Sequence, residues 1–443
     1  MLLIYTHKIT PRLTYVFKHI FTRILDIPVS FTTKIEEFIA HDSLKFSYTK
    51  QILGNELFIK SNDFLFNQGI DYMDITVSNW GDTPCFFYAS APSAIPFDIF
   101  AASFYLMSRY EEYLPHVKDE YERFPAEESL AFQHGFLDKP IIDIWAFKFK
   151  NILLEKFPDE PLLSAENQRK FEFISTIDVD IAFSFKHKGF VRTISGVLND
   201  LIQVNIRNIW KRFLVIFNFA RDPYDTFDKL LFYQEKYKVP TLFFFLLSEY
   251  TTYDKNISAG NHKYKLLIKN VADYAKVGIH PSYFSMKNDQ KIKKEKIRLE
   301  QIVNFPITKS RHHYLRIELP ETYQNLVDLE ITEDYSMGYA DQFGFRAGTC
   351  TPFYFYDLDF EIQTPLKVFP FAVMDGTLKD YLNYTTKKSF DTILKLADEV
   401  KKVNGTFITL FHNESVGGIG RWRGWNKLYE NLLKELSSPA EKK

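Results

Sequence analysis

Apolar runs of strand length alternate with helix-period segments from about residue 166 onward. The runs include "FEFISTI", "VPTLFFFLL", "KVFPFAVMD" and "TFITLFHN". Between them, segments such as "DTFDKLLFYQEKYK" and "KKSFDTILKLADEVKKV" repeat apolar residues at helical spacing. This alternation over roughly 270 residues predicts an α/β fold, with parallel strands joined by crossover helices in either a barrel or a doubly wound sheet.

The first part of the chain has a different texture. Short strand-like runs such as "NELFIKSNDF" and "MDITVSNWG" are mixed with helical stretches such as "FDIFAASFYLMSRYEEYL". A chain of 443 residues exceeds one ordinary core, so we predict a smaller α+β domain over residues 1–165 and the strand–helix domain over residues 166–443. The acids Glu111, Glu112, Asp119 and Glu120 are interpreted as a solvated helix face.

Composition narrows the classes of partner. The formal net charge is -1, which provides no basic field for nucleic acid. The two cysteines, Cys85 and Cys350, are far apart in sequence and suit a reducing compartment. No apolar run reaches the ~20 residues of a membrane-spanning helix, and the N-terminus lacks the apolar core of a signal peptide. We therefore expect no transmembrane segment and a cytoplasmic location.

One long segment, "RTISGVLNDLIQVNIRNIWKRFLVIFNFARD", is amphipathic and partly basic. Peripheral contact with a membrane and coverage of the site are two interpretations of it. An ordinary pair of packing helices is the interpretation we favour.

Polar residues collect where the predicted strands end. The run "ISTIDVDIAF" ends in Asp178 and Asp180, which share a face because side chains alternate along a strand. A metal ion, or one carboxylate acting as base beside another that binds metal, would explain the pair, and so would capping of a following helix. Later strand ends carry His280, Arg311 to His313, Glu333 with Asp334, Asp375, and His412 to Glu414. In a parallel barrel these ends lie on one face, so the pattern predicts an active site there.

Four of these stretches resemble a known family. The order "TIDVD", "GIHPS", "SRHHYLR" and "FHN" is similar to the NodB-homology polysaccharide deacetylases, over about residues 170 to 415. These are metal-dependent carbohydrate esterases on an irregular (β/α) barrel of about seven strands. The N-terminal half resembles an accessory domain that precedes such barrels in uncharacterised bacterial proteins.

The resemblance implies a role for each site residue. It makes Asp178 the base and Asp180 a metal ligand, although Val179 separates two acids that are adjacent in the family. His280 is implied as a second ligand. The family's next histidine would fall at Phe284, so we expect another residue to complete the set.

The run "SRHHYLR" supplies the remaining parts in this scheme. We expect Arg311 and His313 to face the barrel axis, Arg311 to orient the base and His313 to be the third ligand, while His312 points away. His412 is implied as the acid. A metal-free barrel with a structural histidine pair is the alternative.

Two histidines and one aspartate suit a divalent ion, and zinc is the expected cofactor. With Asp178 taking a proton and His412 returning one, the expected activity is hydrolytic removal of acetyl groups from a carbohydrate or glycan precursor. Arg346 in "GFRAGTCTPFYFYD" and Trp422 in "GGIGRWRGW" are candidate substrate contacts, with rigid packing as the alternative for the first loop.

Two other functions stay open at this point. A glycan-binding pseudoenzyme is suggested by the missing second histidine. A glycosyltransferase would use the "DVD" stretch for metal and sugar nucleotide, but it leaves the later histidines unexplained.

Overall fold

The computed structural model describes residues 1–164 and 169–437. The strands are β1 Leu2–Tyr5, β2 Val29–Thr32, β3 Lys45–Thr49, β4 Phe58–Lys60, β5 Ser78–Trp80, β6 Thr83–Cys85, β7 Glu172–Val179, β8 Thr241–Phe245, β9 Lys276–Ile279, β10 Lys309–Ser310, β11 Glu333–Asp334, β12 Phe353–Asp357, β13 Ile362–Val368, β14 Val373–Met374 and β15 Thr406–His412.

The α-helices are α1 Pro11–Phe17, α2 Ile35–Ala40, α3 Ile99–Met107, α4 Tyr110–Tyr113, α5 Leu130–Gln133, α6 Ile141–Lys156, α7 Pro161–Ser164, α8 Phe190–Ile202, α9 Ile206–Ile216, α10 Phe227–Tyr237, α11 His262–Tyr274, α12 Asp289–Val303, α13 Glu321–Asp328, α14 Thr386–Lys402, α15 Asn413–Gly417 and α16 Trp425–Leu436. Single turns of 3₁₀-helix include His313–Leu315 and Gly420–Trp422, and π-helical turns cover Lys18–Ile24 and Thr377–Tyr381.

The larger sheet has nine strands in the order β12-β13-β11-β10-β9-β8-β7-β15-β14. All neighbouring pairs are parallel except β12 and β13, which are antiparallel at one edge. The predicted α/β class with parallel strands is therefore confirmed. Strand β7 lies inside the sheet between β8 and β15, and from Phe173 onward every residue is buried, as expected for a parallel strand covered on both faces.

The expected closed barrel is not what the strand ladders show. Over the described ranges no ladder joins β14 to the opposite part of the sheet, and a backbone hydrogen bond from Phe371 N–H to the Met337 carbonyl spans that side instead. The chain between β11 and β12 is irregular there. Gly344 and Gly348 in this stretch have φ values of 129° and 68°, which interrupt any continuous strand.

The N-terminal region forms its own four-stranded sheet in the order β2-β1-β3-β4, and all its pairings are parallel. Helices lie between β1 and β2 and between β2 and β3, so this region has an α/β arrangement rather than the expected α+β one. Crossover helices are the usual way to connect parallel strands, which explains the difference.

The two regions share one hydrophobic core. A single buried cluster contains residues of the N-terminal sheet, such as Ile4, together with residues of the larger sheet, such as Ile177. Polar contacts also cross between them: Arg12 pairs with Glu361, and the Tyr15 hydroxyl donates to the Tyr354 carbonyl at 2.6 Å. The predicted domain boundary near residue 165 lies outside the described residues and stays a prediction. Among the helices of the described chain, none is long and apolar enough to cross a bilayer.

Candidate active site and metal centre

Asp178 and Asp180 stand at the carboxyl end of β7 and both face the same small cavity. Asp178 is buried, whereas the Asp180 side chain is 29% exposed. Asp180 is surrounded by three imidazoles. Its Oδ1 lies 3.2 Å from His280 Nε2, and its Oδ2 lies 3.5 Å from His313 Nε2 and 3.6 Å from His412 Nε2.

His280 follows β9 and is fixed by its other ring nitrogen. Its Nδ1 contacts the backbone carbonyl of Arg311, and because a carbonyl only accepts, Nδ1 carries a proton. In the neutral ring, Nε2 then has no proton, and its lone pair faces Asp180 Oδ1. This carboxylate oxygen is buried and accepts no hydrogen bond. Two lone pairs 3.2 Å apart repel unless a proton or a cation lies between them.

His313 lies in the loop after β10. Its Nδ1 is 2.8 Å from Asp254 Oδ1, so the carboxylate fixes the ring and directs Nε2 towards Asp180. Burial lowers the pKa of His313, but Asp180 and Asp254 outweigh burial and raise that pKa to about 9. A histidine held by a carboxylate at one nitrogen, with the other directed to a shared centre, is the usual arrangement of a metal ligand.

The donors fit a divalent ion. One ligating atom from each of Asp180, His280 and His313 lies within 4.8 Å of the others. Burial would raise the pKa of Asp180, but the imidazoles of His313, His280 and His412 together hold it well below its usual range, so Asp180 is a carboxylate. Two imidazole nitrogens and one carboxylate oxygen form a ligand set suited to zinc and similar ions, with room for a further ligand.

Arg311 lies beneath the site and is completely buried. Its Nη1 donates to Asp178 Oδ1 at 3.0 Å and to Thr176 Oγ1 at 2.6 Å, while Nε donates to the Tyr335 carbonyl. Its guanidinium lies over the Phe244 ring at 4.8 Å. The arginine therefore keeps one oxygen of Asp178 occupied and orients the carboxyl group.

His412 is the last residue of β15, which pairs with β7 on the edge opposite to β8. Its Nδ1 is 2.7 Å from Asp375 Oδ1, and its backbone N–H donates to Asp375 Oδ2 at 2.8 Å. Burial lowers the pKa of His412, but Asp375, Asp180 and Asp178 together raise it well above its usual range. His412 is thus a proton-carrying group at the edge of the cavity.

The cavity has a volume of about 220 Å³. It is lined by Arg123, Asp178, Asp180, His280, His312, His313, Tyr314, Leu315, Ala340, Met374, Gly376, Asp380, Tyr381, Leu410, His412, Glu414, Arg421 and Trp422. The Trp422 ring is largely buried, and its Nε1 donates to Glu414 Oε1 at 3.2 Å. The Arg421 guanidinium lies 4.8 Å from the Trp422 ring centre and donates to the same carboxylate.

Three expectations from the sequence differ from the structure. Strand β10 ends at Ser310, so His312 and His313 lie in a loop, and His312 lines the cavity instead of pointing away from it. Arg346 is not at the cavity: its Nε and Nη2 donate to Glu112, and Nη1 donates to the Gly338 carbonyl. Glu112 is correspondingly buried and not part of a solvated helix face, because it is enclosed by guanidinium groups.

The N-terminal region contributes Arg123 to the cavity wall. Its Nη1 donates to the Tyr314 carbonyl at 2.9 Å, and its Nε contacts Asp119 at 2.7 Å. Tyr314 and Leu315 have φ values of 59° and 57°, a left-handed conformation that costs energy for residues with side chains. Arg123 therefore stabilises the strained backbone that follows His313.

A second arginine ties the same loop to the N-terminal region. Arg316 donates from Nε to the Tyr121 carbonyl at 2.9 Å and pairs through Nη2 with Glu122. Its guanidinium lies 3.9 Å from the Tyr283 ring centre.

Sequence reasoning missed Asp254 and Arg123, and it missed the partner of Asp375. Asp254 lies in the loop after β8 and shows no motif, and Arg123 is 190 residues away from His313 in the chain. Asp375 was noted at a strand end, but its pairing with His412 required the adjacency of β14 and β15.

Comparison with known proteins gives partial matches. Residues 2–158 match a family model described as a family of unknown function, DUF7033. The curated proteins contain no significant match to the chain.

Several solved structures are similar to this chain. One is a protein from Mycobacterium smegmatis assigned as a polysaccharide deacetylase, which is 12% identical with a TM-score of 0.40. The match covers 62% of this chain and 87% of that protein. Another is a mutant of BA3943, a CE4 family pseudoenzyme with restored enzymatic activity, which is 11% identical with a TM-score of 0.31. This match covers 61% of this chain and 64% of the BA3943 mutant. The polysaccharide deacetylase Bc1974 from Bacillus cereus is 11% identical with a TM-score of 0.28, and the match covers 60% of this chain and 88% of Bc1974.

Proposed function

We propose that the chain is a metal-dependent hydrolase that removes acetyl groups from a carbohydrate. The observation that carries the proposal is the surroundings of Asp180, which faces two imidazole Nε2 atoms whose Nδ1 atoms are each held by an acceptor. Asp178 and His412 lie on the same cavity and supply groups that can accept and donate a proton.

The ligand set in this proposal is Asp180, His280 and His313. The chemistry that a divalent ion supplies there is polarisation of a carbonyl and easier deprotonation of water. Asp254 and the Arg311 carbonyl keep the two rings in the tautomer that presents Nε2 to the centre.

Asp178 serves as general base. Arg311 occupies its Oδ1, and its Oδ2 is directed to the His280 side at 3.9 Å from Nε2. A water at the centre would thus meet a carboxylate oxygen whose orientation is fixed before the reaction. Arg311 is a positioning residue, because it acts on the reaction through Asp178.

His412 serves as general acid. Asp375 keeps its ring oriented and favours the protonated form, so Nε2–H is available to a leaving nitrogen or oxygen. Base and acid stand on neighbouring strands, since His412 of β15 pairs in register with Asp178 of β7. Both line the cavity that would hold the acyl group.

The carbohydrate part of the proposal rests on the resemblance of "STIDVD" and "TLFHN" to the deacetylase motifs and on the character of the cavity. Its wall combines aromatic rings with charged groups, namely Tyr314, Tyr381, Arg421 and Trp422. Such walls suit sugars, which have apolar ring faces and polar edges. At about 220 Å³ the cavity is smaller than a site for a drug-sized ligand, and it suits one sugar unit with its acyl group.

The test is release of acetate by the metal-loaded protein. Zinc, cobalt and manganese forms would be assayed with N-acetylated amino sugars, their oligomers, sugar nucleotides and O-acetylated oligosaccharides. We expect release from at least one class, and a rate lower by about 100-fold to 10,000-fold in Asp178→Asn with metal content unchanged. Absence of acetate with every substrate despite a filled metal centre would overturn the proposal in favour of a binding protein. An unchanged rate in Asp178→Asn would overturn the assignment of Asp178 as general base.

A further inference from the structure

Helices α8 and α9 form a hairpin, defined here as residues 189–222, whose apolar side chains face outward. Phe190 and Ile202 are 80% and 81% exposed, and Trp210 is 64% exposed. Further large apolar side chains that are exposed on the hairpin are Val191, Ile194, Leu198, Leu201, Val204, Ile206, Phe213, Ile216, Phe217 and Phe219. An exposed apolar face this continuous is unusual for a protein surface that meets only water.

One cluster of polar groups lies inside the hairpin. Asp200 and Arg212 are buried between the two helices, with Arg212 Nη2 donating to Asp200 Oδ2 at 2.8 Å, and Asn208 Nδ2 donates to Oδ1 at 2.7 Å. Gly196 makes room for the guanidinium, because an added Cβ would lie 2.6 Å from Arg212 Nη1. Polar pairing inside and apolar surface outside is the reverse of a helix pair that packs onto a water-soluble core.

The hairpin also carries more basic than acidic residues. Between residues 189 and 222 there are five lysines and arginines and two acids, Asp200 and Asp222, and Arg212 pairs with Asp200. The hairpin therefore has three positive charges in excess, within a chain of formal net charge -1. Apolar and aromatic residues combined with lysine and arginine on amphipathic helices are typical of segments that bind the surface of an anionic bilayer.

Both ends of the hairpin are fastened next to the candidate active site. The Asp222 carboxylate accepts from the N–H groups of Ser184, Phe185 and Lys186. The Asn413 side-chain amide, directly after His412, donates to the carbonyls of Ile181 and Tyr224. The hairpin therefore leaves the body of the protein from the edge that carries the cavity.

We propose that this hairpin docks the protein onto an anionic lipid bilayer, with its apolar face inserted into the headgroup and acyl boundary and its basic residues against lipid phosphates. A second copy of the chain fits this face less well, because two hairpins with three excess positive charges each would repel. The proposal concerns docking alone and is independent of the proposed hydrolase activity.

Flotation of the full chain with vesicles tests the proposal. One set of vesicles contains phosphatidylcholine alone and the other contains phosphatidylglycerol as well. We expect the wild type to float with the anionic vesicles, to float much less with the neutral ones, and to be released as salt rises from about 0.05 to about 0.5 M. Arg207→Gln with Lys211→Gln should weaken binding roughly 30-fold.

The apolar contribution is tested by the triple change Ile202→Ser, Val204→Ser, Trp210→Ser. Its matched control, Ile39→Ser, Tyr72→Ser, Phe360→Ser, removes exposed apolar side chains elsewhere. We expect the hairpin variant to lose at least about 10-fold in vesicle binding and the control to bind like the wild type.

Three results would overturn the proposal: no flotation of wild type with either vesicle, equal binding in the hairpin variant and its control, or a wild-type dimer in solution that the hairpin variant dissociates while vesicle binding is absent. Circular dichroism checks that the variants fold. If the hairpin variant fails to fold, the dependence of wild-type flotation on lipid charge and salt still decides.

Discussion

Glu112→Gln tests whether Arg346 has a structural role. Glu112 is buried between two guanidinium groups, with its Oε1 2.7 Å from Arg109 Nε and its Oε2 2.7 Å from Arg346 Nη2. Burial would raise the pKa of Glu112, but Arg346 and Arg109 lower it to about 2. The ion pairs therefore outweigh the loss of hydration.

The size of the effect follows from this pKa. The difference between the ordinary 4.5 and about 2 corresponds to about 3 kcal/mol of unfolding free energy at neutral pH. Because the folded-state pKa is depressed, this stabilisation is present above pH 4.5 and is lost as the pH falls towards 2. About 2 kcal/mol should remain at pH 3.5.

The measurement is urea unfolding followed by tryptophan fluorescence at pH 7 and pH 3.5. Glu112→Gln should unfold with about 3 kcal/mol less free energy than wild type at pH 7, and the deficit should shrink at pH 3.5. Glu128→Gln is the control, since Glu128 is exposed in the same region. A deficit below about 1 kcal/mol at pH 7, or the same deficit at both pH values, would refute the assignment of Arg346 to this buried network.

Three further changes test the surroundings of the site. Asp375→Asn should lower the pKa of His412 and reduce turnover about 10-fold to 150-fold without loss of metal. The alkaline limb of the pH–rate profile should move to lower pH, and an unmoved limb would exclude His412 as the acid. Asp254→Asn should weaken metal binding about 10-fold to 100-fold in calorimetric titration, because His313 loses the partner of its Nδ1; unchanged affinity would remove His313 from the ligand set. Arg123→Ala should also weaken the metal, by loosening the backbone that follows His313, and equal affinity would show that this loop is rigid without the N-terminal region.

Local patterns in the sequence singled out residues that the structure brings together at one cavity. Asp178 and Asp180 share a face because they are two positions apart along an extended chain. His280 follows β9, which is joined to β7 through β8, so parallel pairing brings all three residues to one edge of the sheet. His313 was expected from its place in "SRHHYLR", and its loop does approach the same centre, although it does so by a turn of left-handed backbone and not by strand alternation.

Other features depend on contacts between distant parts of the chain. Arg346 was a candidate substrate contact with rigid packing as the alternative, and it pairs instead with Glu112 of the N-terminal region. The same long-range packing hides the role of Arg123, whose partner is a backbone carbonyl and therefore leaves no mark on the sequence. The hairpin was interpreted as a packing pair because its amphipathic pattern is the same for helices that bury their apolar face and for helices that expose it.

The central claim, a metal centre at Asp180, His280 and His313, is tested most directly by elemental analysis of purified protein dialysed against zinc. We expect about one ion per chain in wild type and in the control His262→Ala, which changes an exposed histidine outside the site. Asp180→Asn, His280→Ala and His313→Ala should each lose most of the ion. Equal metal content in wild type and all three ligand variants, or no metal in wild type with zinc in excess, would contradict the account.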